Sequence, residues 1–174
     1  MHCKSSFFYP LGLDKTYVAQ QINNEIVPGF CRYLNSPRLM ENVVHKYHPG
    51  WCATGLIVST TNDVVHCYEA IFNDKLIDTE QLNNMCELVV PTGQERSAFF
   101  GKPCYGLGVM LDPESMHGNK IGHGGDGPSY NTWVMHLPSF NSRKLTIAAF
   151  CNTSMGMHPF PLVNDLLYIL GNAS

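Results

Sequence analysis

The hydrophobic pattern changes period near Tyr105, and that change restricts the chain to a fold with helices first and a sheet after them. Upstream, Val64, Val65, Tyr68, Ile71 and Phe72 recur at the spacing of one helical face. Ser59 or Thr60 stands where a helix starting near Thr61 needs its cap, Asp63 lies in the first turn to accept from free backbone N–H groups, and Asn73-Asp74 ends the run. Asp78 and Thr79 precede a second, shorter helix through Leu82, Met85 and Leu88 that closes near Pro91. Downstream, Tyr105, Leu107, Val109 and Leu111 alternate with Gly and Met as in a strand. Asp112 to Asn119 reads as a turn, Lys120 to Gly124 as a short strand, and Tyr130 to Leu137 and Leu145 to Cys151 as two more. Phe160 to Leu170 supplies a terminal helix with Leu162, Leu166, Leu167 and Leu170 as its apolar face.

The expected fold class is therefore α+β: a helical segment, an antiparallel sheet of three or four strands, and a C-terminal helix that covers one face. Ahead of these, Pro10-Leu11-Gly12-Leu13 reads as a turn, Asp14 to Asn24 is expected as a short helix, and Val27 to Pro37 as a loop punctuated by Pro28-Gly29. Residues 1–100 are expected to be mainly helix and loop, and residues 101–174 to hold the sheet and the last helix.

A chain of 174 residues can bury a core without metal or disulfide. Charged residues make up 14% of it, against roughly 25% in an ordinary domain, so part of its surface is expected to be covered. The net charge is -3 and the basic residues are scattered singly, which excludes a nucleic-acid footprint. The cysteines, at positions 3, 31, 52, 67, 86, 104 and 151, are odd in number and lack a Cys-x-x-Cys pair. That usage fits free thiols in a reducing, cytoplasmic compartment better than a disulfide framework. The aromatic patch after Lys4 is too short for a signal peptide, and no apolar run approaches a membrane span.

Gly122-His123-Gly124-Gly125-Asp126-Gly127 is the chemically pointed stretch. Its glycines could cradle a phosphate, but no Gly-Lys-Ser/Thr follows and no helix opens there, so nucleotide binding is not expected. They serve tight packing or close approach of a substrate. His123 offers an imidazole that donates to a substrate carboxylate or stabilises charge; the plainer alternative is a histidine held by neighbouring carbonyls. The Asp126 carboxylate would oppose developing negative charge if it faced inward, so it is expected to point to solvent. Tyr130 and Asn131 follow the loop and either line its rim or serve the structure, and Trp133 packs on the sheet.

Other constellations fall short. His45 and His48, with His66 or Asp63 as a third group, lack the further ligands a metal site fixes, so no metal is expected. His66 and Cys67 are helix neighbours that point in different directions, and Gly-x-Ser-x-Gly is absent.

Five landmarks in order carry a resemblance: Phe8-Tyr9-Pro10-Leu11-Gly12-Leu13-Asp14-Lys15-Thr16, the run from Gly55 to Val64, Tyr105-Gly106-Leu107-Gly108, Gly122-His123-Gly124-Gly125, and Cys151-Asn152. Together they resemble the later part of the beta-lactamase-like serine hydrolases, the superfamily of class C beta-lactamases, D,D-peptidases and related esterases. The family uses a Ser-x-x-Lys helix for nucleophile and base, a Tyr-x-Asn loop for proton relay, and a Lys-Thr-Gly or His-x-Gly strand that closes the pocket. His123-Gly124-Gly125 is similar to that strand. The resemblance implies catalytic roles for His123 and for the backbone N–H of Asp126 as an oxyanion donor. It also implies substrate contacts at Gly124, Gly125, Gly127, Tyr130 and Asn131.

The other two elements are missing. No Ser-x-x-Lys occurs, and Tyr33-Leu34-Asn35 matches Tyr-x-Asn in letters but follows the Pro-Leu-Gly segment that it precedes in the family. The chain is thus expected to be the C-terminal portion of such a domain, an incomplete beta-lactamase/transpeptidase-like fold, inactive alone. The intact enzyme would act on an amide or ester small molecule by acyl transfer without a cofactor. The alternative function is a non-catalytic binding or interaction module. In the family fold, N-terminal strands pair with the strand that Leu145 to Cys151 resembles, so a complementary N-terminal polypeptide or a homodimer contact is expected to cover that edge. Family resemblance also allows a periplasmic or secreted location.

Overall fold

A computed structural model describes residues 7–32, 39–48, 50, 57–87, 90–91, 100–154 and 158–172. After a 3-10 turn at Tyr9–Leu11 come the two-residue strands β1 (Tyr17–Val18), β2 (Phe30–Cys31), β3 (Glu41–Asn42) and β4 (Ile57–Val58). Helices α1 (Thr61–Phe72) and α2 (Thr79–Cys86) follow. The sheet is built from β5 (Val90–Pro91), β6 (Cys104–Tyr105), β7 (Met110–Ser115), β8 (Gly118–Asp126), β9 (Asn131–Phe140) and β10 (Arg143–Cys151), and α3 (Pro159–Asn172) closes the order. The six strands run antiparallel in the order β10-β9-β8-β7-β6-β5, while β1 pairs with β4 and β2 with β3. Helices, multi-stranded antiparallel sheet and C-terminal helix thus follow in the α+β order that the periodicity implies; the two-residue strands β5 and β6 widen the sheet beyond its four long strands.

Local chemistry explains the helices. Thr60 is the cap of α1, its hydroxyl accepting from Asp63 N–H at 3.1 Å, a contact worth about 1 kcal/mol. Asp78 and Gln81 form a reciprocal capping box at the start of α2. Lys144 of β10 donates to the Phe72 carbonyl at 3.1 Å and to Asn73 Oδ1 at 2.8 Å, which places a cation at the negative end of α1.

Adjacent residues of β9 face opposite ways, and this sets the layers. Met135 and Leu137 pack with Ala149 of β10 and with Val163 and Leu167 of α3. Between them His136 turns to the other face, where its ring stacks on Phe72 of α1 at 4.0 Å. On that face Phe72, Cys104, Val109, Leu111 and Ile121 form a second cluster with Tyr68 and Ile71 of α1 and Leu82, Met85 and Cys86 of α2. The sheet therefore lies between α1 and α2 on one side and α3 on the other.

Several local expectations are corrected. Asp14 to Asn24 is not helical: Lys15 N–H and the Thr16 hydroxyl bond Asp63 Oδ2 at 2.9 and 2.7 Å, and this pull extends the chain into β1. Asp63 thus accepts from a distant segment rather than from its own first turn. The alternation from Tyr105 to Leu111 is broken by a turn in which Gly106 N–H donates to Val109 O and Gly108 takes φ +74°, so Leu107 is exposed. Asp112 to Asn119 is not a turn throughout, because β7 continues to Ser115. In α3 the buried apolar residues are Pro159, Val163 and Leu167, while Leu162, Leu166 and Leu170 face outward. Leu88, Tyr33-Leu34-Asn35, Gly55-Leu56, Cys3 and Cys52 lie outside the described residues; Cys67, Cys86, Cys104 and Cys151 are free thiols.

Candidate functional site

Strand β8 carries the glycine-rich stretch, and its register decides which main-chain groups are available. Gly127 N–H donates to Tyr130 O at 2.9 Å at the hairpin. Bonded and non-bonded pairs alternate along an antiparallel ladder, so Gly125–Thr132 and His123–Val134 exchange hydrogen bonds with β9. The N–H and C=O groups of Gly124 and Asp126 therefore point to the opposite side of β8. On that side β7 pairs only as far as Met110–Gly122. From His123 to Asp126 the strand has no ladder partner there among the described residues, and Asp126 N–H is directed to this uncovered edge.

His123 is half-buried. Its Nδ1 meets the Gly124 carbonyl and its Nε2 lies 2.8 Å from the Tyr105 hydroxyl, the two rings standing edge to face at 5.8 Å. The contact to Gly124 is of the kind expected for a histidine held by a neighbouring carbonyl. The sequence pattern marks Tyr105 only as a strand residue; its place in the Tyr-Gly-Leu-Gly landmark is the signal that could have found it. The Asp126 carboxylate projects into solvent, with His158 Nδ1 3.8 Å away.

The glycines are explained first by packing. A Cβ on Gly124 would lie 2.4 Å from Trp133 Cζ3, and one on Gly122 only 2.0 Å from Val134 O. Trp133 meets Phe160 of α3 edge to face at 4.8 Å, the sheet packing expected of it. Gly125 is more open, with Thr132 Oγ1 as the neighbour a Cβ would meet at 2.5 Å.

Tyr130 and Asn131 both bond carbonyls of other segments. The Tyr130 hydroxyl donates to the Val27 carbonyl, and burial, with Tyr47 nearby, pushes its pKa up to about 12. Asn131 is buried and its Nδ2 donates to Thr153 O at 3.2 Å. The structure thus brings His123, Gly124, Gly125 and Asp126 together on one edge, and uses Tyr130 and Asn131 to tie the following hairpin to neighbouring loops.

Among the described residues no lysine amine bonds a serine hydroxyl. Lys46 pairs with Glu41, Lys102 with Glu114, Lys120 with Asp112 and Asn164, and Lys144 with the end of α1. Ser129 shares a hydrogen bond with Tyr47 Oη at 3.2 Å but is fully buried. No group of three or more metal-ligating side chains forms among the described residues, and no described helix is long and apolar enough to cross a membrane.

Neither a protein-family profile nor a curated protein sequence matches the chain. Solved structures do. The octameric penicillin-binding protein homologue from Pyrococcus abyssi matches with a TM-score of 0.77 and 20% identity, over 98% of this chain and 37% of that one. The D-stereospecific amidohydrolase from Streptomyces sp. matches with a TM-score of 0.67 and 22% identity, over 87% of this chain and 43% of that one. The D-amino acid amidase from Ochrobactrum anthropi SV3 gives 0.69 and 18%, over 97% and 49%. The chain spans less than half the length of each of these proteins. What the likeness establishes is the fold alone, which this chain shares with part of each of these proteins.

Proposed function

We propose that this chain supplies the substrate-closing strand of a serine hydrolase that acts on an amide or ester by acyl transfer, and that it is inactive alone. The observation that supports this reading best is the edge of β8 from His123 to Asp126, which has no ladder partner among the described residues and to which Asp126 N–H points, away from β9. A fixed amide at a strand edge stabilises an oxyanion without reorganising during the reaction. His123 holds that edge, Gly124 and Gly125 leave room beside it, and Gly127, Tyr130 and Asn131 fix the hairpin that follows. Serine and lysine would come from a Ser-x-x-Lys helix on another stretch of polypeptide, because none occurs in these 174 residues. Two of the matched structures are named as a D-amino acid amidase and a D-stereospecific amidohydrolase, which makes amides of D-amino acids the first substrates to try.

Labelling with a beta-lactam or a fluorophosphonate tests this. The chain alone is expected to stay unlabelled, and an added polypeptide that carries Ser-x-x-Lys is expected to be labelled only in its presence. Labelling of the isolated chain rejects the inactive-fragment reading. Failure of both favours the second reading, a non-catalytic interaction module, for which the outward apolar residues of α3 are the supporting observation. In either case a second polypeptide or a second copy of the chain covers β10 and α3.

A further inference from the structure

We propose that Tyr105 is a positioning residue for the β8 edge: it holds His123 as the Nδ1–H tautomer, and the ring in turn occupies the Gly124 carbonyl. The inference deepens the reading of β8 as the substrate-facing strand and rests on it for its functional meaning. The geometry behind it stands alone.

A carbonyl oxygen only accepts, so the proton between His123 and Gly124 belongs to Nδ1. A neutral ring protonated there has a lone pair at Nε2. Tyr105 Oη lies 2.8 Å from that atom and is the donor to it. The relay runs from the Tyr105 hydroxyl to Nε2 and from Nδ1–H to Gly124 O, crossing β7 by way of the Tyr105–Met110 and Met110–Gly122 pairs. The tautomer follows from these partners, since a phenol and a carbonyl at the two nitrogens leave a neutral ring one self-consistent arrangement.

The consequence lies at the uncovered edge. The Gly124 carbonyl faces that side of β8, and an incoming extended chain would need it as an acceptor. With the His123 ring on it, the edge keeps amide donors at Gly124 and Asp126 while the Asp126 carbonyl is left as the acceptor not engaged by the ring. An isolated acyl oxygen needs only the donors, whereas a peptide main chain, which must place its N–H groups as well, finds one acceptor fewer than an ordinary strand edge gives. Tyr105 sets this preference without touching the substrate.

The tautomer can be read directly from the 15N-labelled chain by long-range 1H–15N correlation of the imidazole, at mildly alkaline pH where an ordinary histidine is neutral. His123 is expected to show the Nδ1–H pattern. In Tyr105→Phe, which keeps the ring and loses the hydroxyl, the ratio of Nε2–H to Nδ1–H forms is expected to rise about fivefold, the population factor of one ordinary net hydrogen bond. A wild-type His123 predominantly in the Nε2–H form overturns the proposal, as does a folded Tyr105→Phe variant with an unchanged ratio. The wild-type spectrum decides the matter should the variant fail to fold. The readout requires no turnover, so its failure is distinct from failure of the hydrolase reading.

Discussion

Lys120 and Asp112 face each other across β7 and β8 at 3.8 Å, 1% and 2% exposed. Asp112 also accepts from the backbone N–H groups of Gly101 at 3.0 Å and Lys102 at 2.7 Å, and Lys120 donates to Asn164 Oδ1 of α3 at 3.3 Å between the rings of Phe100 and Phe160. Burial pulls the Lys120 pKa down while Asp112 pushes it up. The pair joins the segment before β6, the sheet and α3 at the deep end of the strand that carries His123.

Breaking this pair from one side is expected to be costly. Asp112→Ala should destabilise the fold by about 3–5 kcal/mol, because it leaves a buried ammonium without its counter-charge. Replacing both, as Asp112→Leu with Lys120→Met, should cost clearly less than the sum of the single changes. Urea unfolding of the three variants checks this; strictly additive losses would show that the two groups act independently.

The same pair shows where the sequence stops being legible. Pro113 and the acidic residues around it resemble a turn, and nothing local says that Asp112 is buried by a lysine on the next strand. The helices are legible because their signals are local: Thr60 sits one residue before α1 and Asp78 one before α2. Asp14 to Asn24 is not, because its conformation is set by Asp63, some 48 positions away from Lys15. In α3 nearly every residue is apolar, so periodicity cannot separate the inward stripe of Val163 and Leu167 from the outward one of Leu162 and Leu166. At the candidate site the Gly-His-Gly-Gly run is visible as a motif. The Tyr105 contact and the uncovered edge are not, because both depend on strand register.

His136 should make the fold sensitive to acid. Burial first, and then the charge of Lys144, lower its pKa from 6.5 to about 4. Above pH 6.5 the ring is neutral in both states and the fold keeps its full stability. Between 6.5 and about 4 the unfolded chain takes up a proton that the folded chain refuses, so stability falls with pH. The loss from this one group should total on the order of 3 kcal/mol. His136→Gln should flatten that limb in urea titrations made across the window; an equal acid slope in variant and wild type would remove His136 as its cause.

Gly124 is expected to tolerate no side chain while Trp133 is present. The added Cβ of Gly124→Ala would meet the indole at 2.4 Å, so the variant should lose about 1–3 kcal/mol. Trp133→Leu removes the obstacle. In the double variant the alanine should therefore cost at least about 0.5 kcal/mol less, the scale of coupling between residues in contact. Thermal melts of the four proteins measure the coupling, and an unchanged cost in the Trp133→Leu background would mean that backbone conformation, not the ring, demands glycine.

The outer surface of α3 and the free side of β10 together predict association. β10 pairs only with β9, which leaves one edge of the six-stranded sheet open among the described residues. Beside it α3 presents Leu162, Leu166 and Ile169 at helical spacing, 51%, 37% and 60% exposed, with Leu170 at 46%. Asp165 is the helix's single charged side chain. An open strand edge pairs readily with another chain, and a contiguous apolar stripe gains by being covered. The purified chain is therefore expected to associate with increasing concentration in sedimentation experiments. Leu166→Glu combined with Ile169→Glu should shift it to smaller species without disturbing the Val163 and Leu167 contacts beneath. A wild-type chain that stays monodisperse and melts cooperatively as a monomer at low concentration would defeat the prediction, since it would show that this face is stable in water as it stands.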